Sequence, residues 1–263
     1  MPDKQPLPKA TAIALGSLVF IGLATAVIRF SRGLGSVTNL SDGRAWGLWI
    51  SLDLYCGVAL AAGGFVMAGT VYVFGLKKYR PVARSAILTA FLGYLMVIIA
   101  LLVDLGQPWR IWHMIIYWNP HSPLFEVGWC VLLYTIVLSL EFSPAVFERF
   151  NMKVPLRWIR SIQIPLIIAG IVLSTLHQSS LGSVLLMMSD KIHPLWFTPI
   201  LPLLFFVSAV SAGVAMTLFE VSFGSRVSGH TVDIGILSGL GKAMIWLLSV
   251  DIHKRPVQSP VPP

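Results

Sequence analysis

Charge is what this chain lacks most. Only 11% of its 263 residues are Asp, Glu, Lys or Arg, whereas a soluble domain carries about 25%. So few charges cannot clothe a water-facing surface, and a soluble globular domain is excluded. Cysteine is scarce as well. Cys56 and Cys130 stand far apart in apolar stretches, with no CxxC pair. They support neither a structural disulfide nor thiolate-ligated zinc or iron–sulfur within the chain. Short-period repeats of the solenoid kind are absent. So is a convincing pair of inverted halves, which a substrate transporter would build around a midplane site. The apolar runs reach twenty residues without strand-like alternation, which excludes a membrane barrel.

What remains is apolar. Hydrophobic residues make up 56% of the chain and the mean hydropathy is +0.80. The class is an all-α integral membrane protein. About 20 apolar residues cross a bilayer as a helix, which gives about seven spans. They are Thr11–Phe30, Ala45–Gly75, Val82–Val103, Leu124–Phe142, Ile159–His177, Trp196–Phe219 and Asp233–Val250. Residues 251–263 are polar and proline-rich and read as a disordered tail. The first run, after Lys4 and Lys9 and ending near Ala24-Thr25-Ala26, is somewhat long for a signal peptide.

The net charge of +8 does not point to nucleic acid, because the basic residues sit in short loops between spans. Lys and Arg favour the cytoplasmic side. With the N-terminus inside, twelve of the nineteen lie on the inner side. The densest clusters, Lys77-Lys78-Tyr79-Arg80 and Arg149 to Arg160, are both there.

That topology gathers the chemically interesting residues at the outer face. The connection Asp104–Trp129 carries Asp104, Arg110, His113, His121 and Glu126 among Trp109, Trp112, Tyr117, Trp118 and Trp129. Such aromatics suit an interface belt. The acids and histidines suit a site that moves protons or holds a polar ligand head. Asp53 lies inside span two, seven residues after Trp46 and four after Trp49. On an α-helix these three share a face, with Asp53 about 10 Å below Trp46. An intramembrane carboxylate is costly and faces a bundle interior or water. The competing reading is a structural hydrogen bond. His177 reads as closing span five on the same side, followed by Gln178 and Ser179. An imidazole there can exchange protons near neutral pH. Haem b between helices takes two facing histidines, and no span interior offers a second one. Gly57/Ala61 and Gly64/Ala68 in span two are small-xxx-small pairs that let helices approach closely.

Several segments together resemble a known family. They are WGLWISLD (46–53), VDLGQPWR (103–110), SPLFEVGW (122–129), STLHQSSLG (174–182) and HPLWFTPILPLLFFVSA (193–209). The chain is similar to the NrfD / polysulphide reductase membrane subunits, and most to the HybB type of periplasmic nickel–iron hydrogenases. The resemblance covers about residues 21–250. It implies a quinone or menaquinone site near the outer, periplasmic face of a bacterial inner membrane, with no haem or iron–sulfur cluster in this chain. It implies as partners a ferredoxin-like iron–sulfur subunit and a periplasmic catalytic subunit of hydrogenase or molybdopterin type. In some members the reaction is thought to drive proton movement.

The resemblance places the quinone pocket in a first four-helix bundle, spans two to five, or residues 45–182. Residues 1–44 form the preceding span and outer loop, and 183–250 a partial second bundle, since HybB-type subunits have about ten spans. Asp53, Asp104, Glu126 and His177 match polar motif positions, with Trp46, Trp109, Arg110 and Gln178 beside them. His177 and Asp104 are expected to meet the quinone oxygens, Asp53 to relay protons, and Glu126 to steady His177 or Arg110. The alternative is a membrane anchor without its own quinone site. Glu141 and Glu220, at the inner ends of spans four and six, read as interface acids or as points of proton uptake.

Overall fold

The computed structural model describes residues 9–41, 51–187, 193, 197–228 and 233–253. Their regular elements are all helical: α1 (Lys9–Arg32), α2 (Ser51–Val73), α3 (Arg80–Asp104), α4 (Pro123–Arg149), α5 (Lys153–Ser161), α6 (Gln163–Met187), α7 (Leu201–Ser228) and α8 (Ile234–His253). Six of them, all but α5 and α8, are long and apolar enough to cross a membrane, and α8 holds a shorter apolar stretch. The protein is a multi-pass membrane protein. Its exposed Leu, Ile, Val and Phe side chains cover the outer flanks of the helices, as a lipid solvent requires.

Proline and glycine punctuate the chain where helices must stop or start. Pro81 and Pro123 sit in the first turns of α3 and α4, where a missing N–H costs nothing. Gly33 and Gly75 take positive φ just beyond α1 and α2, a conformation that lets the chain turn away. The connection between α3 and α4 folds back on α4, and Trp129 Nε1 donates to the Met114 carbonyl at 3.1 Å.

Helices α2, α3, α4 and α6 pack in a ring, each against its neighbours, and α7 lies against α2 and α6. The close approaches depend on missing side chains. A Cβ on Gly63 would stand 2.7 Å from the Gly213 carbonyl oxygen of α7. A Cβ on Gly182 would stand 2.6 Å from Pro202 Cα. Gly64 is likewise pressed on Ala90 and the Ala86 backbone of α3. The core is Val58, Ala61, Phe65, Tyr94, Tyr134, Leu138 and Leu181, drawn from all four ring helices. Helix α1 stands apart with its apolar side chains exposed; it meets α3 at one end, where Arg29 is buried.

The structure differs from the sequence reading in ways that matter. Helix α6 does not end at His177 but runs ten residues further, to Met187. The polar run His177-Gln178-Ser179-Ser180 looked like a wet span end. Its buried members instead face other helices, which supply the enclosure that a loop would lack. The winding of Ser51–Gly57 is π-helical. A π turn takes more residues than an α turn, so the 3.6-residue spacing does not describe the step from Asp53 to Gly57; Trp46 and Trp49, expected on the same face, lie outside the described residues. Helix α8 also extends three residues into the stretch read as tail.

Candidate functional site

The site grows from one face of α6. Ser174, His177, Gln178 and Leu181 follow helical i, i+3, i+4, i+7 spacing, and each is 0% exposed. Gln178 Nε2 donates to the Val58 carbonyl of α2 at 3.3 Å, while its Oε1 has no partner. Neither ring nitrogen of His177 has a hydrogen-bond partner, although the Val127 backbone of α4 lies beside the ring. The His177 ring sits 6.0 Å from that of Tyr94 on α3. Tyr94 in turn meets Tyr134 of α4 edge to face at 4.7 Å. The Ser174 hydroxyl lies near both phenols, yet none of the three closes a hydrogen bond of proper geometry.

Such a cluster is unusual. Buried polar groups are almost always satisfied, and an unmet one costs about 1–3 kcal/mol. Here an imidazole, an amide oxygen and three hydroxyls meet in the middle of a helix ring with capacity to spare. The group can donate to, and accept from, a small polar ligand or water. Below it, Glu141 Oε1 stands 3.4 Å from where a Cβ on Gly170 would be, and Tyr134 lies against the same glycine. Tyr134 thus lies within reach of both Ser174 and Glu141.

Two carboxylates form a second group. Asp53 on α2 and Asp104 at the end of α3 lie within electrostatic reach of each other. Asp53 Oδ1 accepts from the Leu54 amide at 2.6 Å, and its buried Oδ2 has no partner. Arg29 of α1 donates through Nε and Nη2 to the Val103 and Leu105 carbonyls, and its charge acts on Asp104.

The remaining expected residues stand further out. Glu126 is exposed, near Cys130, and makes no ion pair with a described residue. No ion pair joins it to Arg110 or His177 in this structure. Trp109 and Arg110 are exposed in the outer connection. Trp46, with Arg44, Trp49 and Asp190, lies outside the described residues. Sequence reasoning passed over Arg29, counted only for topology, and Tyr94, Tyr134 and Ser174, which look like ordinary span residues. The i, i+3, i+4 recurrence of polar residues through Ser174, His177 and Gln178 was the available signal.

The comparison with known proteins falls in with this geometry. Residues 36–253 match the polysulphide reductase, NrfD family. The chain belongs to that family. Every helix of the α2–α3–α4–α6 ring lies within the matched stretch. A protein from Nitratidesulfovibrio vulgaris is 44% identical over 90% of this chain and 63% of its own length. The probable Ni/Fe-hydrogenase 2 b-type cytochrome subunit of Escherichia coli is 37% identical over 86% of this chain and 60% of its own. The integral membrane subunit of a menaquinone reductase from N. vulgaris is 30% identical over 87% and 57%. This chain therefore spans about six-tenths of the length of these relatives. No solved structure matches it.

A quinone and a haem make different demands, and the buried residues answer them differently. A quinone carbonyl needs N–H or O–H donors, which His177, Tyr94 and Ser174 carry. A bundle haem needs an axial pair. Among the described residues, His177 is the only histidine within the six long apolar helices.

Proposed function

We propose that this chain is the quinone-reactive membrane subunit of a respiratory oxidoreductase. Quinone or quinol enters the α2–α3–α4–α6 ring near the end that holds Asp53 and Asp104. Electrons pass to or from a ferredoxin-like iron–sulfur subunit docked on the outer face, and from there to a periplasmic catalytic subunit. The observation that carries this is the buried polar cluster around His177, left with unmet hydrogen-bonding capacity inside an apolar bundle. Two of the relatives, a probable Ni/Fe-hydrogenase cytochrome subunit and a menaquinone reductase membrane subunit, point the same way.

Oxidation of a quinol releases two electrons and two protons. The electrons need an acceptor outside this chain, which the iron–sulfur partner supplies. The protons need bases within it. His177, with Asp104 toward the mouth, meets the quinone oxygens. Asp53, with an oxygen free on its buried side, passes protons on. Trp109, Arg110, Glu126 and Gln178 complete the mouth and the wall. The hydroxyls of Tyr94, Ser174 and Tyr134 offer a line toward Glu141, along which proton transfer would couple the reaction to the opposite face.

The test is direct binding. A menaquinone analogue titrated into the purified chain in detergent should quench tryptophan fluorescence saturably, and a His177→Phe variant should not respond. Saturable quenching that His177→Phe leaves intact would move the site elsewhere. No quenching in either protein would leave a membrane anchor as the better description.

A further inference from the structure

At the far end of the bundle from Asp53 and Asp104, a cavity of about 460 Å³ opens between α3, α4 and the start of α6, roofed by α5. Its apolar wall includes Ile87, Phe142 and Leu166. Its rim is cationic: Arg80 and Arg84 stand one turn apart on α3, and Arg160 faces them from α5. The quinone reading makes no use of this cavity's rim.

The charges there are unevenly matched. Glu148 Oε1 accepts from Arg160 at 2.8 Å, and its other oxygen is 4.0 Å from Arg84. Arg80 forms no ion pair with a described residue. The other carboxylate, Glu141, turns to the deep end beside Gly170 and Tyr134. Guanidinium groups present a planar fork of donors that suits phosphate oxygens. Exposed Lys153 and Arg157 extend the positive field along α5. The same short helix exposes Val154 and Trp158, the pattern of a helix lying in a membrane interface. Lysine and arginine density places this end on the cytoplasmic side, where anionic lipid is found.

We propose that the cavity is a binding site for an anionic phospholipid. The lipid phosphate sits among Arg80, Arg84 and Arg160, and an acyl chain lies against Ile87, Phe142 and Leu166. A purely apolar groove would take any lipid. The three arginines from two helices select a negative headgroup, and the notch between the helices selects a molecule that has a tail.

The chain purified in detergent is titrated with phosphatidylglycerol, phosphatidylcholine or inorganic phosphate, and bound mass and melting temperature are followed. Phosphatidylglycerol should stay bound in native mass spectra and raise the melting temperature; the other two should do neither. The double variant Arg80→Gln/Arg84→Gln keeps the Arg160–Glu148 pair and should bind about thirtyfold more weakly. Lys153→Gln/Arg157→Gln removes the same charge outside the cavity and should bind almost as the parent does. Ala145→Phe, which fills the cavity without altering charge, should also lose the lipid, and it serves if the arginine variant does not fold. Equal loss in the two charge variants would reduce the effect to surface potential and overturn the site. So would phosphatidylcholine binding as tightly, or inorganic phosphate reproducing the shift.

Discussion

Arg29 reaches from the first helix to donate to the carbonyl of Leu105, more than seventy residues later. Its Nε donates to Val103, so one guanidinium satisfies two carbonyls at the end of α3. Those carbonyls have no partner within the helix. Arg29 also puts a positive charge beside Asp104. A helix otherwise exposed along its length is thus tied to the bundle at the acidic mouth. Replacing Arg29 by Met should lower stability by about 1–3 kcal/mol, the usual cost of unmet buried polar groups. Thermal unfolding in detergent measures it. An unchanged melting temperature would mean that water replaces the guanidinium without loss.

Asp53→Asn keeps the shape of the side chain and removes its ability to carry a proton. If Asp53 relays protons, quinone-linked electron transfer in the assembled complex should fall at least about a hundredfold, the scale of a lost acid–base group. Quinone affinity should stay near that of the parent. Near-normal turnover would reject the relay.

Tyr134→Phe deletes one unmet hydroxyl and keeps the ring against Tyr94. Because the hydroxyl has no hydrogen bond of proper geometry in this structure, its removal should leave the melting temperature level or slightly higher. Turnover in membranes should drop if protons use the line toward Glu141. A marked loss of stability would instead reveal a strong hydrogen bond at that phenol.

Gly63→Ala tests the close crossing of α2 and α7. The new methyl would meet the Gly213 carbonyl and Thr217 Oγ1, each at 2.7 Å. Overpacking of this kind costs about 1–3 kcal/mol. Gly16→Ala, where nothing lies within 4 Å, should be neutral in the same unfolding assay.

The spans were legible because a bilayer leaves few choices. Twenty apolar residues without charge must form a helix, and α3, with Pro81 and Asp104 at its ends, was placed within two residues. Span five was not. Histidine, glutamine and serine in succession carry no label that separates a loop from an interior lining. Only the neighbours across the ring, Val58, Tyr94 and Tyr134, make that segment a continuous helix. Asp53 shows a subtler case: a carboxylate in a span announces itself, but the π winding in which it sits is not visible in the apolar pattern around it.

Composition and hydropathy alone determined that this is a helical membrane protein with one basic end and one acidic, aromatic end. The resemblance carried by segments such as STLHQSSLG (174–182) pointed to the NrfD family. Which polar side chains share an interior was decided only by tertiary structure. Ser174, His177 and Gln178 become one buried polar cluster when Tyr94 and Tyr134 arrive from helices that the chain order keeps apart. Arg29 becomes part of the mouth only when α1 meets the end of α3. Hydrophobic burial acts within each segment and is written in its local pattern. Hydrogen-bonding need is met between segments, and it appears only once they are packed.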